Sequence, residues 1–130
     1  MNKLKLFLPA TFWLLVILFL SGYPGHKVPS VPFWQFDKLV HTLIYLALSL
    51  FSIFAFHRQY IAQKSRFLTV VFVAVFGIFY GGLMEILQHY IFINRSGNWY
   101  DFSANTLGAI IGVIVYPYVM KLLPINKWLQ

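Results

Sequence analysis

Only three carboxylates occur in this 130-residue sequence, Asp37, Glu85 and Asp101, and each has polar company at helical spacing. Asp37, His41 and Tyr45 stand at i, i+4 and i+8, which places them on one helical stripe. Glu85, Gln88 and His89 share a face at i, i+3 and i+4, and Asp101 and Asn105 do so at i, i+4. Arg95 lies between the last two groups. Carboxylates beside imidazoles are the usual equipment of acid–base chemistry, and an arginine fork suits a phosphate or a carboxylate. His41, Glu85 and Asp101 are therefore the candidate catalytic residues. Asp37, Tyr45, Gln88, Arg95 and Asn105 are the candidate substrate-binding residues.

Each candidate also has a plainer reading. Asp37 and Asp101 can simply cap helices, since Asp is a favoured N-cap, but capping leaves His41, Tyr45 and Asn105 unexplained one or two turns deeper. His41 suits an interhelical hydrogen bond, a general base or a metal ligand. Glu85 suits a paired or protonated structural acid, or a proton relay. Arg95 suits a clamp on Asp37 or Asp101, or an anionic head group. His26 and His57 are expected to be interfacial or solvated. Without cysteine or an HExxH motif, Glu85, His89, His41 and Asp101 do not amount to a recognisable metal centre, so no metal or cofactor is expected.

The elements that must position these groups follow from composition. Sixty per cent of the residues are hydrophobic and only 10% charged, with a mean hydropathy of +0.74. So few polar residues cannot cover the core of a soluble domain of this size. Disorder is excluded for the same reason. Apolar runs cover about residues 6–23, 39–56, 67–92 and 102–122. Each is long enough to cross a bilayer as a helix, and none shows the alternation of a barrel strand. The expected fold is all-α: an integral membrane bundle of four transmembrane helices, forming one domain over residues 1–130. The first run is read as an uncleaved span, because no A-x-A-like site follows it. The connections from Ser21 to Asp37, rich in Gly and Pro, and from Ile93 to Asp101 are turn-like, and His57 to Arg66 is a polar, basic loop.

Net charge is +7. No basic stripe exists to follow a phosphate backbone, so a nucleic-acid partner is not expected. Instead the basic residues sit at the ends of apolar runs. Lys3, Lys5, Arg58, Lys64, Arg66, Lys121 and Lys127 fall on one side of the membrane, and Lys27, Lys38 and Arg95 on the other. The positive-inside rule then puts both termini in the cytoplasm. Phe33, Trp34, Phe36, Trp99 and Tyr100 fit an outer aromatic belt. All three acids cluster toward that outer side, where ionisable groups within a span usually face inward. Gly77-x-x-x-Gly81 and Ala104-x-x-x-Gly108-x-x-x-Gly112 are small-residue stripes on which the third and fourth spans are expected to pack.

Asp37-Lys38-x-x-His41-x-x-x-Tyr45 resembles the first motif of the VanZ-like membrane proteins. Glu85-x-x-Gln88, followed by Arg95, Asp101, Asn105, Gly108 and Gly112, resembles their second, in order and approximate spacing. His89 and the Trp99-Tyr100 pair are not defining positions of that family. The resemblance implies a small multi-pass protein of the bacterial plasma membrane, in a family named for teicoplanin resistance, and it implies no settled reaction. Together with the polar cluster it raises three expectations. One is an outward-facing site that binds or modifies a membrane lipid or lipid-linked envelope precursor. Another is a non-catalytic scaffold or assembly module, working as a homo-oligomer or with a membrane protein partner. The third, a proton-linked transporter, has the small size of the chain against it.

Overall fold

A computed structural model describes residues 3–27 and 34–123 and is all-helical over them. Pro29, Pro32 and Phe33 of the first connection, and the tail from Pro124 with Lys127, lie outside the described residues. A 3₁₀ turn over Lys3–Phe7 leads into α1, Leu8–Gly22. The other elements are α2 (Trp34–Ala55), the short α3 (His57–Ile61), α4 (Arg66–Tyr90) and α5 (Trp99–Leu122). Four of the helices are long and apolar enough to cross a membrane. Helices satisfy every backbone group within the segment, which hydrocarbon requires.

The surface matches that environment. Phe12, Leu15, Phe19, Phe67, Phe72, Val75, Phe79 and Ile114 are all exposed large apolar side chains. Phe36, Trp99 and Tyr100 are exposed as well, at the first turns of α2 and α5. Phe7, before α1, packs edge-to-face on Phe56 beyond the end of α2, with ring centroids 5.2 Å apart. The start of the chain therefore lies at the α2 C-terminal end of the bundle. The opposite, distal end carries the first and third connections.

Helix boundaries depart from the charge-free runs where polar residues find partners. The second helix takes in Asp37 and Lys38 in its first turns instead of beginning after them. The last helix begins at Trp99, and its cap is Asn98, whose Oδ1 accepts from the Tyr100 N–H at 2.8 Å. Asp101 is thus not the cap, and its carboxylate is left for another use. The second connection holds α3, and His57 is buried there rather than solvated, with Nδ1 3.0 Å from the Tyr116 hydroxyl. His26 is exposed, as expected.

The small-residue stripes pack on two different partners. Gly77 and Gly81 of α4 lie against Ala109 and Asn105 of α5, where added Cβ atoms would come within 2.9 and 3.0 Å of their Cβ atoms. Gly108 and Gly112 instead face α2, against the backbone of Thr42 and of Leu46 and the Cβ of Ser49. The α5 helix therefore turns one row to α4 and a second row to α2. Hydroxyls reinforce the α2 contact: Ser49 Oγ donates to the Ala109 carbonyl at 2.9 Å and Thr42 Oγ1 to that of Ala104 at 3.3 Å. This is how membrane helices gain attraction where apolar burial offers none. Three side-chain hydrogen bonds fasten α1: Trp13 Nε1 to the Ile44 carbonyl, Tyr80 Oη to that of Leu14, and Gln88 Nε2 to that of Ser21.

Candidate functional site

Close α2–α5 packing brings Asp37, Lys38 and His41 against Asp101 and Asn105 at the distal end. Lys38 forms ion pairs with Asp37 at 2.7 Å and with Asp101. His41 Nε2 stands 3.9 Å from a carboxylate oxygen of Asp37 and 3.8 Å from one of Asp101. The other ring nitrogen, Nδ1, lies 2.9 Å from Asn105 Oδ1. Asn105 Nδ2 in turn donates to Glu85 Oε1 at 3.3 Å, and Glu85 Oε2 accepts the backbone N–H of Asn98 at 2.9 Å. One hydrogen-bonded chain thus runs from the loop before α5, through Glu85 and Asn105, to His41.

The direction of this chain has a chemical consequence. An amide oxygen only accepts hydrogen bonds and an amide nitrogen only donates. With Glu85 ionised and Asn105 Nδ2 turned to it, Oδ1 faces His41, and the 2.9 Å contact then calls for a proton on His41 Nδ1. Nε2 is then the nitrogen presented to Asp37 and Asp101. Asn105 thus links Glu85 to His41. Burial falls in the same order: Asn105 and Glu85 are buried, while His41 and Asp101 are part-buried and Asp37 is the most open of the acids.

Gly81 makes room for this arrangement. A Cβ there would meet Asn105 Cβ at 3.0 Å and the Tyr45 ring at 3.3 Å. The distal connections are also pinned together. Gly25 sits directly under the Asn94 carbonyl, where a side chain would not fit, and Asn94 Nδ2 donates to His26 Nδ1 at 3.0 Å. Asn94 itself has φ 53°, a left-handed conformation that Asn tolerates.

Five of the expected residues converge closely: Asp37, His41, Glu85, Asp101 and Asn105. Tyr45 is one turn deeper and buried among Ile17, Leu48 and Met84, and its hydroxyl has no hydrogen-bond partner among the described residues. Gln88 is spent on holding α1 through the Ser21 carbonyl. Arg95 runs beside Gly25 and, among the described residues, pairs with neither Asp37 nor Asp101. The clamp on those acids is Lys38 instead. Sequence reasoning quotes Lys38 in the first VanZ-like motif but leaves it out of the site residues, because nothing in the spacing ties it to Asp101. It also missed Asn98, which binds Glu85 and caps α5, although Asn just before an apolar run is a cap signal.

Asp37, His41 and Asp101 offer ligand atoms within 4.8 Å of one another, the donor set of a small cation site. The Lys38 ammonium already bridges the two carboxylates, so a metal ion would have to compete with the chain's own cation.

The family model for VanZ/LLP1 matches residues 4–122. The chain belongs to the VanZ/LLP1 family. The match takes in all four long helices and every residue of the polar chain, so the VanZ-like motifs seen in the sequence lie within it. No curated protein and no solved structure matches the chain. The VanZ assignment and the four spanning helices make this a multi-pass membrane protein.

Proposed function

We propose that the protein works in the bacterial plasma membrane with its distal end outward, where it binds the polar head of a membrane lipid or lipid-linked envelope precursor. His41 Nε2 exchanges protons with the bound group, Asp37, Lys38 and Asp101 surround it, and Arg95 supplies a fork for an anion at the same end of the bundle. The observation that carries this reading is the Glu85–Asn105–His41 chain. A bundle that needed only adhesion has hydroxyl-to-carbonyl bonds for that, as at Thr42 and Ser49. A carboxylate within a span is a far more costly device.

Glu85→Gln and Arg95→Lys test the reading together. Glu85→Gln keeps the shape but can no longer accept from both Asn98 and Asn105. Arg95→Lys keeps the charge and loses the two-pronged geometry. Both variants should insert and accumulate near normally, and both should lose the envelope phenotype, read as glycopeptide susceptibility. Normal activity in both would favour the scaffold reading, which the Gln88–Ser21 bond and the Lys38 pairs support.

Orientation is tested separately by cysteine labelling, since the chain has no cysteine of its own. Lys27→Cys and Ser96→Cys are exposed positions on the distal connections. Gly25 and Gly97 are unsuitable, because a side chain there would strike the Asn94 and Glu85 carbonyls. Both cysteines should react with an impermeant reagent added outside the cell. Labelling only from the cytoplasmic side would overturn the outward site.

A further inference from the structure

A cavity of about 470 Å³ lies between α4 and the start of α5. Glu85 and Asn98 border it, but His41, Asn105 and Asp101 do not, so it is a separate space reached from the same carboxylate. Its size is that of a small-ligand pocket, which runs from about 300 to 1,000 Å³.

Its walls are graded. On α4 the cavity extends from Gly82 to Tyr90, about 12 Å along the axis at 1.5 Å per residue. Its deepest lining is apolar, Gly82 on α4 and Phe102 on α5, and the Phe102 ring edge comes within 3.3 Å of where a Gly82 Cβ would be. Toward the connection come Glu85, Ile86, His89 and Asn98, polar but for Ile86. Tyr90 and Trp99 flank that level and are 78% and 82% exposed. Exposed Tyr and Trp at the ends of spanning helices mark the membrane interface. The cavity thus passes from interface-level polar groups to hydrocarbon-level apolar ones, the order found along a membrane lipid. Both walls belong to spanning helices and Ile86 is 56% exposed, so the medium at its mouth is the bilayer. His89 and Trp99, which the polar chain leaves without a task, acquire one here.

We propose that this cavity holds one hydrocarbon chain of a bilayer phospholipid, with the lipid's glycerol region against Glu85, His89 and Asn98. The inference rests on the lipid-head reading above and names its ligand class. Phospholipid is the occupant because it forms the bilayer at the mouth and carries ester carbonyl oxygens, acceptors for side-chain N–H groups, at the depth of the polar lining.

The test uses full-length protein reconstituted in phosphatidylethanolamine–phosphatidylglycerol vesicles, with and without an added polyprenyl phosphate. The protein is then extracted in mild detergent and its retained lipid is read by native mass spectrometry. Ile86→Trp fills the cavity from an exposed position and should leave the fold intact. It should retain roughly tenfold less phospholipid than the wild type. Smaller Ile86→Phe should give a partial loss. His41→Gln, remote from the cavity, should retain phospholipid fully and lose the envelope phenotype. Equal retention by Ile86→Trp and the wild type, no phospholipid on the wild type, or replacement of phospholipid by the polyprenyl phosphate would each overturn the proposal. A His41→Gln variant with normal phenotype, alongside lipid loss in Ile86→Trp, would sink the acid–base reading and uphold the cavity.

Discussion

Asn105 Oδ1 lies 2.9 Å from His41 Nδ1, and that contact joins two helices whose residues are 64 positions apart. Asn105 is 1% exposed, so both of its bonds are shielded from solvent.

Asn105→Leu keeps the volume roughly constant and strands one oxygen of Glu85 and Nδ1 of His41. An unsatisfied buried polar group costs about 1–3 kcal/mol. The variant should therefore unfold at clearly lower temperature in detergent. An unchanged midpoint would mean that the chain contributes nothing to the fold.

Lys38→Met removes the cation between Asp37 and Asp101. The pair is part-exposed, so the loss should fall short of the roughly 3–5 kcal/mol of a fully buried one. Two carboxylates and an imidazole then converge without a counter-ion. The variant should gain binding of Mn²⁺ or Zn²⁺ in titration calorimetry and be restabilised by it, while the wild type binds neither comparably. Equal binding by both would show that Lys38 does not occupy the cation position.

Gly108→Ala sets a Cβ against the Thr42 backbone, which cannot turn aside as a side chain can. Overpacking costs typically about 1–3 kcal/mol, and here it also pulls His41 away from Asn105. Gly22→Ala meets only the Phe92 ring at an ordinary 3.5 Å. Thermal melts in detergent should show Gly108→Ala much the less stable of the two. Comparable stability would contradict the α2–α5 packing described.

The four spans were legible because hydrocarbon imposes length and apolarity directly on sequence. Helical spacing was enough to put Asp37 with His41, and Asp101 with Asn105. The glycine stripes were visible as stripes, but their partners were not: Gly108 lies against Thr42 of α2, while Ala109 beside it packs its Cβ on Gly77 of α4. Gln88 could not be separated from Glu85 by spacing, although one bonds α1 and the other α5. The pairing of Lys38 with Asp101 was hidden for a related reason, since a long flexible side chain reaches partners that its backbone position does not mark. His57 read as a loop residue until α3 turned it toward Tyr116.

Glu85 should set the protonated nitrogen of His41 through Asn105. Nitrogen-15 NMR of ring-labelled histidine reads this directly, with the His41 signals assigned by their loss in His41→Gln. In the wild type the neutral His41 ring should carry its proton on Nδ1. Glu85→Gln turns an amide N–H toward Asn105, which reverses the Asn105 side chain and moves the His41 proton to Nε2. A change of tautomer between the two proteins is the predicted result. The Nε2 tautomer in the wild type, or the same tautomer in both, would contradict the account.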